Sequence, residues 1–174
     1  MIFLKLLSKL VSMLRSGDSA WGIAWGFSLG AVLGLTPFLG LHTAVVVLLV
    51  CVLRVNVSAA LFAWLLFGAV AWVLDPVFHS LGYFVLTGIP ALEPLWTNLY
   101  NAPVAPLTRF NNTVMMGSWI VSLLLLVPNT VLFRAFVLKY RASWNAKIAR
   151  WKWVRAAGAS GFVQTLWKIR GWEV

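Results

Sequence analysis

Charged residues are scarce in this sequence, and acidic ones are the rarest. Only 10% of the 174 residues are charged, and only 4 of them are Asp or Glu. Soluble domains carry about 25% charged residues, so this scarcity excludes a soluble globular domain, a disordered chain and a coiled coil. The hydrophobic fraction is 61% and the mean hydropathy is +0.90. These values are typical of an integral membrane protein.

Reactive and metal-ligating side chains are equally sparse. The chain has one cysteine, Cys51, and two histidines. A single cysteine excludes an internal disulfide and a cysteine-rich metal site, and two histidines in separate segments do not predict a metal centre. The sequence also lacks the patterns of a Ser-His-Asp triad, a phosphate-binding loop and a catalytic carboxylate pair. We therefore expect a protein that is not an enzyme and that needs no cofactor or metal.

Long uncharged windows separate the few charges. Between Asp18 and Arg134 the sequence carries only four charged residues. A helix that crosses a membrane needs about 20 apolar residues, and proline disfavours a helix interior because it lacks a backbone donor. Dividing the windows at their charges and prolines predicts an all-α integral membrane protein with a membrane domain over residues 18–133. The predicted segments are 20–35, 37–53, 57–74, 77–89 and 113–133.

The predicted segments differ in length. Residues 57–74 and 113–133 are long enough for full spans, whereas 20–35 and 37–53 are short. Residues 77–89 are nearer the length of a re-entrant or interfacial segment. The sequence therefore predicts about four membrane-crossing helices, with proline-broken short or re-entrant segments among them.

Capping residues mark where the predicted helices begin. The side chain of Asp, Asn, Ser or Thr accepts a hydrogen bond from the first free amides of a helix, and proline is favoured directly after such a residue. We expect Thr36 and Asp75, each followed by proline, to begin new helices after a break. The other expected N-caps are Asp18 or Ser19, Asn56 or Ser58, and Asn112 or Thr113. Three prolines in residues 94–108 predict a loop.

Positive charges gather at one face of the predicted bundle. The sequence has 14 Lys and Arg residues against 4 Asp and Glu, a net charge of +10. If residues 77–89 do not cross the membrane, every basic residue except Arg109 lies on one side. Because cytoplasmic segments carry the excess of Lys and Arg, the sequence predicts a multi-pass protein with both termini in the cytoplasm.

Both terminal segments have the character of membrane-surface helices. In residues 1–17, basic residues recur on one helical face opposite apolar ones, which predicts an interfacial amphipathic helix. Residues 134–174 hold nine basic residues and five of the 11 tryptophans. We interpret them as a cationic, Trp-rich cytoplasmic tail on an anionic leaflet, or as a topology anchor with no further role. Nucleic-acid binding would suit the same residue types, but a position beside a span favours lipid. The expected anionic-lipid contacts are Lys139, Arg141, Lys147, Arg150 and Lys152.

Glycines recur at every fourth residue of the first predicted helix, at Gly22, Gly26, Gly30 and Gly34. This spacing places them on one helical face, where another backbone can approach closely. We interpret this glycine stripe as a helix-packing face, within the chain or with a partner subunit. The alternative is a groove for a partner or a lipid.

Each predicted helix break is followed by a segment with one histidine. Free amides at the start of a short helix can bind an anion such as a phosphate headgroup, and histidines can bind headgroups or carry protons. The alternative is a hydrogen-bonded polar residue near an interface. The possible headgroup site comprises Thr36, Pro37, Gly40, His42, Asp75, Pro76 and His79. On the outer side, the expected partner contacts are Arg109, Asn111 and Asn112.

An ordered set of motifs resembles a known family. The motifs are the glycine-rich span, P-x-x-G-x-H-T at residues 37–43, R-x-N at 54–56 and D-P at 75–76. This set resembles small bacterial inner-membrane proteins that are known only as a domain of unknown function. Two positions depart from the family's pattern, since His42 replaces a frequent Gln and Asp75 replaces a frequent Asn. The second change puts a potential charge at that break.

One branch of this family is similar along nearly the whole chain, including residues 110–118. The resemblance implies an inner-membrane protein of bacteria with outer membranes, encoded beside a large AsmA-like protein of the periplasm-spanning, lipid-transferring kind. It implies no catalytic residues.

Residues and resemblance together predict a non-enzymatic inner-membrane subunit that docks a large periplasmic AsmA-like partner and assists phospholipid transfer between the inner and outer membranes. The expected partners are the phospholipid membrane and that protein, without nucleic acid. The alternatives are a self-contained small-solute or ion transporter or channel, and a purely structural membrane anchor. The lipid, the direction of transport and the oligomeric state stay open.

Overall fold

The computed structural model of the chain describes residue 14 and residues 17–37 and 40–150, the last seven by their backbone alone. Every regular element in this part of the chain is a helix, so the prediction of an all-α protein is confirmed. The elements are α1 (Ala20–Leu35), α2 (Leu41–Val52), α3 (Val57–Thr87), α4 (Glu93–Tyr100) and α5 (Thr113–Arg150), with 3-10 turns at Pro90–Leu92 and Ala105–Thr108.

The chain divides into two compact units, Met1–Val137 and Leu138–Val174. The first unit holds α1 to α4 and most of α5, and of the second the structure describes the last turns of α5. The predicted N-terminal amphipathic helix lies outside the described residues except for residues 14 and 17, and the tail beyond Arg150 lies outside them entirely.

Side-chain caps set the start of α1 but not of α2. The Ser19 hydroxyl accepts a hydrogen bond from the Gly22 amide at 2.9 Å. Thr36 does not begin α2 as the sequence predicted. Its hydroxyl donates to the Val32 carbonyl at 2.8 Å, so Thr36 ends α1. α2 begins five residues later, at Leu41, and the preceding Gly40 supplies no side-chain cap.

α3 corrects the prediction of a helix break at Asp75-Pro76. The two segments predicted as 57–74 and 77–89 form one helix of 31 residues, with Pro76 inside it. Proline removes one helical hydrogen bond, whereas a break in an apolar environment leaves several backbone groups without partners. Continuing the helix therefore costs less than ending it. Asp75 and His79 are consequently exposed mid-helix residues rather than residues at a helix start.

The segment predicted as a loop over residues 94–108 is partly helical. α4, which begins at Glu93, covers its first part, and the 3-10 turn Ala105–Thr108 lies near its end, each with proline in its first turn. Proline is well placed there, because the first amides of a helix have no partner within it. Pro94 and Pro106 in this segment therefore lie at the starts of short helices.

α1 packs between α3 and α5. Phe27 of α1 stacks on Phe133 of α5, with 3.6 Å between the ring centroids, and the Asn129 amide of α5 donates to the Ser28 hydroxyl at 3.2 Å. Against α3 the contacts advance in step along both helices, so α1 and α3 run parallel. The facing pairs are Gly26 with Asn56, Gly30 with Ala60, and Gly34 with Trp64.

α5 runs antiparallel to α3, since Gly82 faces Thr113 and Gly117 faces Phe78. The bundle therefore has two distinct ends. At the Arg54 end, the turn that leads into α3 lies beside the start of α1: the Asn56 amide donates to the Gly22 carbonyl at 3.0 Å, and the Arg134 guanidinium lies 4.5 Å over the ring of Trp21. At the opposite end, the loop end, lie residues 88–112.

Large apolar side chains cover the outside of the helices. α2, α3 and α5 each expose several Leu and Val residues. Within the described residues, Val57–Thr87 and Thr113–Ser143 are long and apolar enough to cross a membrane, and α1 and α2 are shorter apolar helices.

Candidate functional site at the turn between α1 and α2

The glycine stripe of α1 lies against α3 of the same chain. A side chain at Gly30 would meet the backbone of Ala60, and one at Gly34 would lie 2.7 Å from the Trp64 carbonyl oxygen. Of the two interpretations of the stripe, the structure therefore shows packing within the chain. The face is not an open groove for a partner or a lipid, because α3 already occupies it.

A second close helix crossing joins α3 to α5 and was not predicted. Side chains at Gly82 or Gly117 would collide with the backbone of the opposite helix. Beside this crossing, the His79 Nδ1 lies 2.6 Å from the Thr113 hydroxyl. The available signals were Gly82 in α3 and Gly117 in α5, but neither glycine belongs to a four-residue repeat that would identify a contact.

The predicted headgroup residues fall into two separate groups. Thr36, Pro37, Gly40 and His42 lie at the turn between α1 and α2, whereas Asp75, Pro76 and His79 lie on α3. Only the first group lies at a helix start. Of the two helix breaks predicted from the sequence, the structure therefore shows the first and not the second. The rest of the candidate site is built around that turn.

His42 is buried at the start of α2. Its side chain is 8% exposed, and its ring lies edge-on to Trp119 of α5, with 5.6 Å between the centroids. The ring folds back over the residue before the helix, since a Cβ at Gly40 would lie 2.5 Å from the His42 Nδ1. Glycine at position 40 therefore leaves the space that the imidazole occupies.

Two nitrogen atoms at this turn lack hydrogen-bond partners. The His42 Nδ1 and the Trp119 Nε1 are both buried without a partner among the described residues. The other ring nitrogen of His42 lies 3.3 Å from the Thr43 hydroxyl. Which ring nitrogen of His42 carries the proton depends on the direction of this contact. The Trp119 Nε1 is an N–H donor in either case.

A small cavity lies next to this turn, between α1, α3 and α5. Its volume is about 110 Å³, and it is partly open at the surface. Its polar lining residues are Ser28, Ser122 and Asn129. The Ser122 hydroxyl donates to the Trp119 carbonyl at 3.1 Å, so this wall of the cavity lies within one helical turn of Trp119 along α5. Sequence reasoning missed it, although the polar Asn129 after Pro128 in an apolar run was a signal.

The predicted outer contacts have different local roles. Arg109 is exposed at the loop end in the left-handed conformation, with φ of 56°, and Asn111 is exposed beside it. Asn112 caps α5, because its side-chain oxygen accepts from the Met115 amide at 3.0 Å. All three residues are exposed, and Asn112 in addition caps α5.

The predicted anionic-lipid contacts lie at the end of the described chain. Lys139 is exposed and Arg141 half-buried. Lys147 and Arg150 are within α5, but their side chains are outside the description, as is the whole of Lys152. The structure does not test the predicted contacts with anionic lipid, which stay a prediction.

Comparison with known proteins agrees with the resemblance in the motifs. Residues 5–146 match the family described as an uncharacterized protein conserved in bacteria (DUF2062). An uncharacterized protein of Treponema pallidum (strain Nichols) is 34% identical over 96 residues, which cover 55% of this chain and 59% of that protein. No solved structure matches significantly. Since the family match covers most of the chain, the protein belongs to this bacterially conserved, uncharacterized family.

Proposed function

We propose that this protein is a non-enzymatic subunit of the bacterial inner membrane, where it docks a large periplasmic AsmA-like partner and assists phospholipid transfer between the inner and outer membranes. The identity of the partner rests on the resemblance of the sequence. The residues of the loop end supply a surface on which such a partner could dock.

The directions of the helices support four passages through the bilayer. α1 and α3 run parallel, and α5 is antiparallel to α3. α2 joins the end of α1 to the start of α3, so it runs in the direction opposite to both. The start of α1, the turn at Arg54 and Arg134 then share one end, and the loop end lies opposite. With the Arg54 end in the cytoplasm, this arrangement obeys the preference of Lys and Arg for the cytoplasmic side.

Exposed apolar side chains at the loop end are the observation that carries the docking proposal. α3 is about 46 Å long at 1.5 Å per residue, so it exceeds a hydrocarbon core of about 30 Å. The loop end therefore extends beyond the core. Leu107 is 62% exposed there, and Leu95, Tyr100 and Val104 are also exposed. Apolar patches that face water commonly mark protein contacts.

The cavity supports a partner rather than a self-contained lipid carrier. Its volume is about 110 Å³, less than the roughly 150 Å³ of an engineered cavity that binds one benzene molecule. A whole phospholipid does not fit inside it. This cavity therefore favours a role in which another protein shields the lipid on its way through water.

Co-purification tests the docking proposal. We expect the double variant Val104→Asp and Leu107→Asp to lose the large periplasmic protein that the wild type retains in mild detergent, because two carboxylates would be buried in the interface. Protein mass spectrometry of the purified complex measures the retained partner.

The matched control is Leu53→Asp, which changes a leucine of similar exposure at the Arg54 end and should keep the partner. Equal recovery of the partner with the double variant and the wild type would rule out docking at the loop end. Flux of an ion or small solute through the purified protein alone in liposomes would instead support the transporter alternative.

A further inference from the structure

We infer that the outer half of α3 is the binding face for a membrane-spanning helix of another protein, and that a Lys or Arg of this helix binds the Asp75 carboxylate and the Trp72 carbonyl. The inference rests on the proposed function, in which the Arg54 end lies in the cytoplasm. It deepens the proposed docking role, because it adds a contact within the bilayer to the contact at the loop end.

An exposed stripe of polar and aromatic residues runs along the outer half of α3. Trp72 is 86% exposed and Tyr83 58% exposed. Asp75, Pro76 and His79 lie between them and are exposed as well. Residues three or four positions apart share one face of a helix, so the five side chains lie on one side of α3. The described helices of this chain leave that side uncovered.

The length of α3 places the middle of this stripe inside the hydrocarbon core. Asp75 is 18 positions beyond Val57, the first residue of α3, which corresponds to about 27 Å of helix. The core is about 30 Å thick. With the Arg54 end at the inner boundary of the core, Asp75 is therefore about 3 Å below the outer boundary. Trp72 lies about one turn deeper.

The length of α5 gives the same depth independently. Arg134, at the Arg54 end, is 21 positions beyond Thr113, which corresponds to about 32 Å of helix. His79 lies beside Thr113, since its Nδ1 is 2.6 Å from the Thr113 hydroxyl. Asp75 is one turn nearer the cytoplasm than His79, at about 26 Å. Both helices therefore place the Asp75 carboxylate within the core and His79 at its outer boundary.

Two acceptor groups on the stripe lack partners in the described part of the chain. Proline has no backbone N–H, so Pro76 cannot donate to the Trp72 carbonyl, four residues earlier in the helix. The structure assigns no hydrogen bond or ion pair to the Asp75 carboxylate among the described residues. Lipid tails offer no donor to either group, and polar groups in a bilayer core require partners. This face therefore needs donors from another molecule.

The charge of Asp75 favours a cation as the source of these donors. Intramembrane Lys and Arg side chains pair with carboxylates or with backbone carbonyls. Asp75 and Trp72 are three positions apart on one helical face, and a guanidinium or ammonium group carries several N–H donors. One basic side chain is thus suited to bind both acceptors. The exposed ring of Trp72 adds a surface on which such a cation stacks.

The basic side chain comes from a different protein. Between Arg54 and Arg134 the sequence holds no Lys or Arg except Arg109, which lies in the loop before α5. A second copy of this chain therefore offers no basic residue at the depth of Asp75. Phospholipid ammonium groups lie in the headgroup layer, outside the core. A helix brings a basic side chain into the core with its own backbone groups satisfied, so the partner is a membrane-spanning helix.

Photo-cross-linking of the full-length protein in inner membranes tests this face. We expect benzoylphenylalanine in place of Trp72 to cross-link to a membrane-spanning segment with a Lys or Arg near its outer end, identified by mass spectrometry of the cross-linked peptide. The matched control carries benzoylphenylalanine in place of Leu124, an exposed residue of α5, and should not give this product. Cross-links from position 72 only to a second copy or to lipid would overturn the inference.

Variants of Asp75 test the charge. Asp75→Asn should weaken the complex with the partner at least about tenfold, measured by dilution in mild detergent, because it breaks a buried ion pair. Asp75→Glu keeps the charge and should retain most of the affinity. The matched control is Glu93→Gln, which removes an exposed carboxylate at the loop end and should leave the affinity unchanged. Wild-type affinity in Asp75→Asn would refute the ion pair.

Asp75→Leu separates binding from folding. It removes an unpaired carboxylate from an apolar surface, so it should raise the thermal unfolding midpoint of the chain purified without its partner by about 2–4 °C, although the complex is lost. A lower midpoint would show that Asp75 stabilises its own chain and would contradict the inference.

The loop-end variants distinguish this contact from docking itself. Loss of the partner in the double variant Val104→Asp and Leu107→Asp, with full retention in Asp75→Asn, would leave the docking proposal standing and remove the contact on α3. Once the cross-linked basic residue is known, its exchange for Asp should restore binding to Asp75→Lys. Failure of this exchange to restore any binding would show that the two residues do not pair.

Discussion

At the scale of single residues, glycine decides where backbones meet. Gly30 faces the backbone of Ala60 so closely that any side chain would collide with it. Gly68 lies in a similar apolar helix, but a Cβ there would be 4.0 Å from its nearest neighbour, the Gly34 carbonyl oxygen. The backbone of the neighbouring helix therefore excludes a side chain at Gly30, whereas a Cβ at Gly68 would make only an ordinary van der Waals contact.

We expect Gly30→Ala to destabilise the protein by about 1–3 kcal/mol, because overpacking forces α1 and α3 apart. Unfolding by sodium dodecyl sulfate in mixed micelles measures the change. Gly68→Ala is the control and should be neutral or slightly stabilising, since Ala favours helix more than Gly does. Equal unfolding free energies for the two variants would contradict the packing described for the glycine stripe.

At the scale of helices, capping and proline have different consequences in this chain. The Asn56 side-chain oxygen accepts from the Ala59 amide at 2.7 Å and so begins α3, while its amide donates to the Asp18 carboxylate of the segment before α1. One residue therefore starts a helix and ties two parts of the Arg54 end together. Pro76, in contrast, lies inside α3 without ending it.

Asn56→Ala should lower the unfolding free energy by about 1–2 kcal/mol, because it removes the cap and the link to Asp18. Ser58→Ala is the control, since Ser58 is the exposed second residue of α3 and was an equal candidate cap from the sequence. Thermal unfolding in detergent measures both changes. A larger loss in Ser58→Ala than in Asn56→Ala would show that the cap has been assigned to the wrong residue.

At the scale of the whole molecule, the direction of each helix sets which surface meets which compartment. The parallel pair α1 and α3 and the antiparallel α5 put Arg54 and Arg134 at one end and residues 88–112 at the other. The charge distribution then predicts which end faces the cytoplasm. Docking of a periplasmic partner requires that the loop end face the periplasm.

Cysteine labelling checks this orientation in a Cys51→Ala background. A membrane-impermeant maleimide should label Ser80→Cys and Asn101→Cys in cells with a permeabilised outer membrane. Leu53→Cys should react only after lysis, because it lies at the Arg54 end. Labelling of the first two positions from the cytoplasm alone would reverse the proposed orientation and remove the basis for docking.

Much of the architecture follows from the sequence because apolar length and charge are local properties. The all-α class was predicted from uncharged windows, and Ser19, Asn56 and Asn112 were among the expected caps because a cap contacts only its own first turn. The same local reasoning predicted a helix break at Pro76, and that prediction was wrong. A proline inside a helix loses one backbone hydrogen bond, whereas a break leaves several backbone groups unpaired. Which of the two costs more free energy depends on whether water or another group can pair with those backbone groups.

The sequence by itself determined that the chain is apolar, helical and asymmetric in charge, since these properties need no knowledge of neighbours. Only the tertiary structure decided what the glycine stripe and the polar residues contact. It placed α3 over the stripe and brought His42 beside Trp119, 77 positions further along the chain. Such pairings depend on how helices distant in sequence pack together. The contact between His42 and Trp119 therefore became visible only once the bundle had been assembled.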